Sequence, residues 1–228
     1  MEPNERIKNS QVWDTKKLTT LAMLTALAFI VAIVRIPVGL FIFRYEAKDV
    51  IIVTSGFIYG PLAVIAMSIV LSFLEMLMLS DTGWIGFFMN IIATCSFACT
   101  ASIVYKFRRT LGGAAIALTA GVLVNVPIML LWNYLIVPIF TPGIAREQVL
   151  SMLIPIFLPF NLLKGGINAA LTMLLYKPIR LALDKSRLLQ LNENPEKKKS
   201  KASIGVIIAS AFVLITCIMI VLSWRGMI

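Results

Sequence analysis

Long apolar runs alternate with short polar or basic segments along the whole chain. An α-helix needs about 20 predominantly apolar residues to cross the ~30 Å hydrocarbon core of a bilayer. Six runs approach or exceed that length, and the pattern therefore predicts six long transmembrane helices. They are 18–34, 62–79, 84–105, 112–137, 149–176 and 203–224.

A seventh apolar run, 49–60, rises only about 18 Å as a helix and is too short to cross a bilayer unaided. Gly60 and Pro61 end this run, and Pro61 suits the first turn of the next helix. The basic run 106–109 falls on the same side as the basic N-terminal tail only if 49–60 crosses. We therefore predict that 49–60 is a span, extended at its ends or enclosed by the bundle.

The composition indicates an integral membrane protein. Hydrophobic residues make up 59% of the 228 residues and charged residues only 14%, whereas soluble domains are nearer one quarter charged. The net charge of +10 lies in short runs between apolar segments, which is the positive-inside pattern and not a nucleic-acid-binding patch. We predict an all-α, multi-pass protein of the cell membrane with these parts: a cytoplasmic N-terminal tail (1–17), a six-span bundle (18–177), a basic cytoplasmic linker (178–202) and an additional C-terminal helix (203–224).

The run 149–176 carries polar residues at membrane depth. Asn161, Lys164 and Asn168 are spaced i, i+3 and i+7, so a helix places them on one stripe. A charge there costs roughly 2.5–3.5 kcal/mol unless it faces protein or water. Pro155 and Pro159 should bend this span and free backbone groups that also need polar partners.

Polar stripes on other predicted helices complete a candidate site. Glu75 is the obvious counter-charge for Lys164 inside the membrane, and carboxamides suit the edge of a heterocycle because each one both donates and accepts hydrogen bonds. Aromatic residues could stack on a flat ring. We therefore expect a bound small molecule. The further polar residues are Ser68, Ser72, Glu75, Asn90, Asn125 and Asn133.

Two other interpretations of the polar residues stay open. They can form hydrogen bonds that hold the helices together in a scaffold that binds no ligand. Glu75 and Lys164 can form the proton relay of a self-sufficient proton-coupled carrier. An enzyme is not expected, because the sequence has no histidine, no metal-ligand set and no phosphate-binding loop for ATP.

Four short motifs resemble the substrate-binding S component of energy-coupling factor (ECF) vitamin transporters, and the riboflavin-binding type most of all. The resemblance runs from about residue 17 to residue 177. The motifs are Lys48-Asp49-Val50, 57–62 (Phe-Ile-Tyr-Gly-Pro-Leu), 133–138 (Asn-Tyr-Leu-Ile-Val-Pro) and 158–165 (Leu-Pro-Phe-Asn-Leu-Leu-Lys-Gly).

This resemblance implies a six-helix bundle that binds riboflavin from outside, as a transported ligand and not as a cofactor. It also implies a transmembrane coupling subunit and two ATPase subunits as partners, while a different vitamin remains an alternative. The loop after the first helix would cover the ligand. The implied contacts are Asn133, Asn161 and Lys164, followed by Tyr45, Asp49, Glu75 and Asn90.

The first helix is implied to dock on the coupling subunit. Its small-xxx-small spacing lets helix backbones approach closely, and this matches Ala22, Ala26, Ala28 and Ala32. The run 203–224 lies outside the six-helix plan and has no implied role.

Overall fold

Each predicted apolar run forms a helix in the computed structural model, which describes residues 14–38, 43–79, 82–141, 143–185 and 202–224. The run 149–176 is divided between a short helix, a π-helical turn (Leu153–Phe157) and a long helix. The helices are α1 (Thr15–Ile33), α2 (Lys48–Tyr59), α3 (Pro61–Met78), α4 (Gly83–Phe107), α5 (Leu111–Phe140), α6 (Arg146–Met152), α7 (Leu158–Lys185) and α8 (Ala202–Trp224).

Five spans in the described part of the chain are long and apolar enough to cross a membrane: α1, α3, α4, α5 and the α6–α7 segment. The 12-residue α2 is shorter, as the sequence predicts, and every residue from Lys48 to Phe57 is buried. The other helices therefore enclose α2 and separate it from lipid. Gly60, with φ of 90°, and Pro61, at the first turn of α3, reverse the chain after α2.

A small antiparallel hairpin occupies part of the segment that the sequence predicts as a loop. Its strands are β1 (Ile36–Val38) and β2 (Phe43–Tyr45), with Ile36 opposite Tyr45. Residues 39–42, including Phe41 of the predicted aromatic alternation, lie outside the described residues. The hairpin links the end of α1 to the start of α2 and so lies at the Lys48 end of the bundle.

Two helices continue past the prolines at which the sequence predicts an end. α5 passes through Pro138 to Phe140, and α7 passes through Pro178 to Lys185. A proline removes one backbone donor, and neighbouring groups in a membrane bundle can compensate for its loss. The first residues of the predicted linker, 178–185, are therefore helical, and residues 186–201 of that linker lie outside the described residues.

The apolar interior forms two groups. The larger one joins α1 to α5 with the second half of α7. The smaller one, called the hairpin cluster below, joins the end of β2, the first half of α7, and α8. Its buried members are Tyr45, Leu163 and Cys217, and the side chains packed against them are Ala47, Phe160, Ile167, Leu171 and Val221.

Candidate ligand site

A chain of charged side chains crosses the bundle at the Lys48 end of α2. The Lys48 ammonium contacts both Glu75 carboxylate oxygens, at 2.6 and 2.5 Å, and a Glu46 oxygen at 2.8 Å. Arg35, at the end of α1, lies 3.1 Å from Glu46, and the Asn90 amide donates to Glu75 at 2.8 Å. These contacts tie the hairpin to α2, α3 and α4.

A second set of contacts surrounds Asp49, one residue further along α2. Its carboxylate accepts hydrogen bonds from the Thr94 hydroxyl at 2.8 Å and the Asn168 amide at 3.2 Å. The Lys164 ammonium lies 3.6 Å from the same carboxylate. The Tyr45 hydroxyl donates to the Asn168 carbonyl oxygen at 2.8 Å. We call the two sets together the polar network.

The predicted pairing of Lys164 with Glu75 is wrong. Glu75 pairs with Lys48, and Lys164 pairs with Asp49. Lys48 starts a helix that the rest of the bundle encloses, so its side chain is only 2% exposed and needs a buried carboxylate, which α3 provides. Lys164 lies beside Asp49 because α7 packs along α2. The relay on which the proton-coupled interpretation depends is therefore not formed.

Burial keeps the Tyr45 hydroxyl of the hairpin protonated. Burial of the Tyr45 phenol, and next the negative charge of Asp49, raise the pKa of Tyr45 well above its ordinary value of about 10. Tyr45 is therefore a hydrogen-bond donor at physiological pH. Its donation leaves the Asn168 amide free to donate to Asp49.

The four ion pairs described above contain equal numbers of cations and anions. The cations are Arg35, Lys48 and Lys164, the anions are Glu46, Asp49 and Glu75, and these six charges sum to zero. A neutral polar solute can approach such a site without adding an uncompensated charge to a low-dielectric interior.

Lys164 is the most accessible member of the four ion pairs described above, at 23% side-chain exposure. Its distance of 3.6 Å from Asp49 is also the longest of them. Some of its donor capacity is therefore available to a ligand.

The remaining predicted carboxamides do not join the network. The Asn133 amide donates to the Met129 carbonyl and the Asn161 amide to the Phe157 carbonyl, each one turn earlier in the same helix. The Asn125 amide of α5 donates to the Ala93 carbonyl and the Ser96 hydroxyl of α4, so it links these two helices. Of the seven implied contact residues, the structure joins Tyr45, Asp49, Glu75, Asn90 and Lys164.

Sequence reasoning missed three members of the network: Arg35, Glu46 and Lys48. Lys48 directly precedes Asp49 and the enclosed run, and this arrangement was the available signal that the lysine enters the bundle with the helix. Asn168 lies on a predicted polar stripe, and Thr94 lies one turn after Asn90 on α4, but neither was among the implied contacts.

The alanines of α1 separate onto two faces. Ala22 and Ala26 are exposed, while Ala28 and Ala32 are fully buried inside the bundle. Prediction of all four as partner contacts is therefore wrong for Ala28 and Ala32. The 3.6-residue period of a helix places the two alanine pairs on different faces.

A cavity of about 250 Å³ lies at the opposite end of α2 from Lys48. Tyr59 and Gly60 line it together with Tyr105, Lys106 and Arg109 of the α4 end. The predicted cytoplasmic basic run and the polar network thus lie at opposite ends of the bundle. If the basic end is cytoplasmic, the network lies on the external side.

A helical membrane bundle with a buried network of paired charges beside a hairpin at one end has the architecture of a solute-binding membrane protein. The sequence model of the family "ECF transporter, substrate-specific component" matches residues 16–176. This chain belongs to that family, and it is accordingly a transporter's substrate-binding component and not an enzyme.

Individual relatives agree with this assignment. The riboflavin transporter RibU of Staphylococcus aureus (strain TCH60) is 27% identical over 172 residues, which cover 72% of this chain and 90% of the relative. The riboflavin transporter FmnP of Bacillus subtilis (strain 168) is 26% identical over 182 residues, covering 75% and 96%. The solved S component of a bacterial ECF transporter superposes with a TM-score of 0.62 at 27% identity, covering 74% of this chain and 97% of that one.

Proposed function

We propose that this chain binds riboflavin, or a close flavin, from the outside. Its partners would be a transmembrane coupling subunit and two ATPase subunits, which supply the energy for uptake. The observation that carries the proposal is the position of Lys164, partly exposed at the edge of a charge-balanced network. Both named relatives are riboflavin transporters.

The chemistry of a flavin suits these residues. The ring edge alternates carbonyl acceptors with an N–H donor, so an ammonium and carboxamides are suitable partners. In the proposal, Lys164 and Asn161 bind the ring edge after a modest side-chain rearrangement, because the Asn161 amide otherwise bonds its own helix. The Glu75 carboxylate accepts hydrogen bonds from the ribityl hydroxyls, and the Asn90 amide donates hydrogen bonds to them.

The test is flavin binding to the purified full-length protein, followed by fluorescence quenching. We expect binding at micromolar flavin or below. Lys164→Ala should weaken binding at least tenfold, equivalent to about 1.4 kcal/mol or more. Lys106→Ala removes an exposed lysine at the far end of the bundle and should leave affinity unchanged. A protein that ignores micromolar flavin would contradict the proposal.

Partner dependence has its own measurement. Vesicles that contain only this chain should bind flavin without accumulating it, since the sequence carries no phosphate-binding loop. Accumulation driven by a proton gradient alone would instead support the proton-coupled carrier.

A further inference from the structure

The last helix, α8, lies outside the part of the chain that defines the family, because the family match ends at residue 176. It packs along α7. Cys217, in the second half of α8, lies beside Gly166, in the first half of α7, and the two helices are therefore antiparallel. This contact places the second half of α8 at the end of the bundle that holds the hairpin.

The hairpin cluster joins α8 to that hairpin. Each of its three buried members comes from a different element: Tyr45 from β2, Leu163 from α7 and Cys217 from α8. Val221, one helical turn after Cys217, packs against the same cluster. Tyr45 and Cys217 are therefore buried in the same apolar cluster, while the Tyr45 hydroxyl reaches Asn168 in the polar network.

A short series of hydrogen bonds leads from Tyr45 to the site. Its hydroxyl donates to Asn168, Asn168 donates to Asp49, and Asp49 pairs with Lys164. Anything that holds the Tyr45 ring in place therefore also fixes the geometry around Lys164.

Lipid would be a poor substitute for α8 on this face. Acyl chains are as apolar as a helix surface, so the advantage of a helix in a membrane lies in specific van der Waals packing. A helix offers a fixed surface to the Tyr45 ring, whereas fluid lipid chains offer many arrangements.

We propose that α8 is a brace that holds Tyr45 of β2 in place beside the ligand site, with Cys217 and Val221 as positioning residues. The brace stabilises the arrangement of Tyr45, Asn168 and Asp49 beside Lys164, so it slows release of a bound solute. This inference rests on the proposed function only where its test measures the release of flavin.

The first test measures flavin release from full-length protein after a chase with excess unlabelled competitor. Cys217→Ala/Val221→Ala should raise the release rate about five- to tenfold and leave the association rate within about twofold. Val213→Ala is the matched control, because it makes the same valine truncation at an exposed position of α8. Its release rate should equal that of the wild type.

The contact itself is tested by a double-mutant cycle. In a Tyr45→Ala background the α8 substitutions should add nothing to the release rate, since the side chain through which they act is gone. Additive effects would overturn the brace, and so would a lower melting temperature with an unchanged release rate, which is the result of a purely structural role.

A second readout needs no ligand and separates failure of the brace from failure of the flavin assignment. Amide hydrogen exchange at residues 43–45 should be at least fivefold faster in Cys217→Ala/Val221→Ala than in the wild type or Val213→Ala. Equal exchange in all three proteins overturns the brace whether or not flavin binds. Absence of flavin binding with accelerated exchange overturns only the flavin assignment.

Discussion

Lys48 and Glu75 are almost completely removed from solvent, at 2% and 1% side-chain exposure, and each is also held by a third group. Removing one member of a buried ion pair leaves an uncompensated charge, which costs about 3–5 kcal/mol, whereas replacing both by apolar groups is often neutral. The pair therefore contributes less to net stability than its short distances suggest.

Lys48→Met should consequently destabilise the protein by about 3–5 kcal/mol. Adding Glu75→Leu should recover most of that loss, with Glu46 still paired to Arg35 and the Asn90 amide left without its carboxylate acceptor. Thermal unfolding in detergent measures both effects, and Lys106→Met provides the exposed-lysine control. A double variant less stable than Lys48→Met alone would contradict this account.

The candidate site was partly predictable at this scale. Lys164 stands out in the sequence because a lysine in an apolar span must find a partner. Its partner was not predictable, because two lysines (Lys48 and Lys164) and two carboxylates (Asp49 and Glu75) inside the bundle allow more than one pairing. Only the packing of α2 against α3 and α7 decides between these pairings.

At the scale of elements, hydrophobic length predicts where helices lie but not how closely they pack. The crossing of α4 and α5 depends on Gly121: a Cβ there would lie 2.7 Å from the Phe97 carbonyl oxygen and 3.3 Å from the Ala101 Cβ. The hairpin also escaped prediction, because its three-residue strands are too short to show a clear alternation.

Gly121→Ala should force α4 and α5 apart and destabilise the protein by about 1–3 kcal/mol. The contact is with backbone, which cannot move aside as a flexible side chain can. Gly112→Ala, near the start of α5, meets nothing within 4 Å and is the matched control. The melting temperatures of the two variants test this prediction, and equal values would show that the α4–α5 interface can relax.

At the scale of the whole molecule, an exposed alanine pair on α1 is the part of the predicted docking face that the structure leaves accessible to the proposed coupling subunit. Ala22 and Ala26 lie on the outer face, whereas Ala28 and Ala32 pack inside. The membrane class and the six-helix plan were predictable from hydropathy and motifs. The separation of the alanines needed the position of α1 against the bundle.

Ala22→Leu should therefore reduce co-purification of the coupling subunit at least tenfold, while ligand binding to the isolated chain stays within twofold. Ala28→Leu makes the same change inside the core and should instead destabilise the chain by about 1–3 kcal/mol through overpacking. Assembly assays and unfolding assays on both variants distinguish the two effects. Unimpaired assembly of the Ala22→Leu variant would show that the coupling subunit docks on a different face.

The shortness of α2 has an electrical consequence. Its 12 residues span only about 18 Å between the Lys48 network and the cavity at the Tyr59 end. Where water reaches both ends of this helix, the insulating layer is little more than half as thick as the ~30 Å of ordinary hydrocarbon. Under that condition a resting membrane voltage falls more steeply along α2 than across an ordinary bilayer, and the charges of Lys48 and Asp49 lie at one edge of the thinner layer.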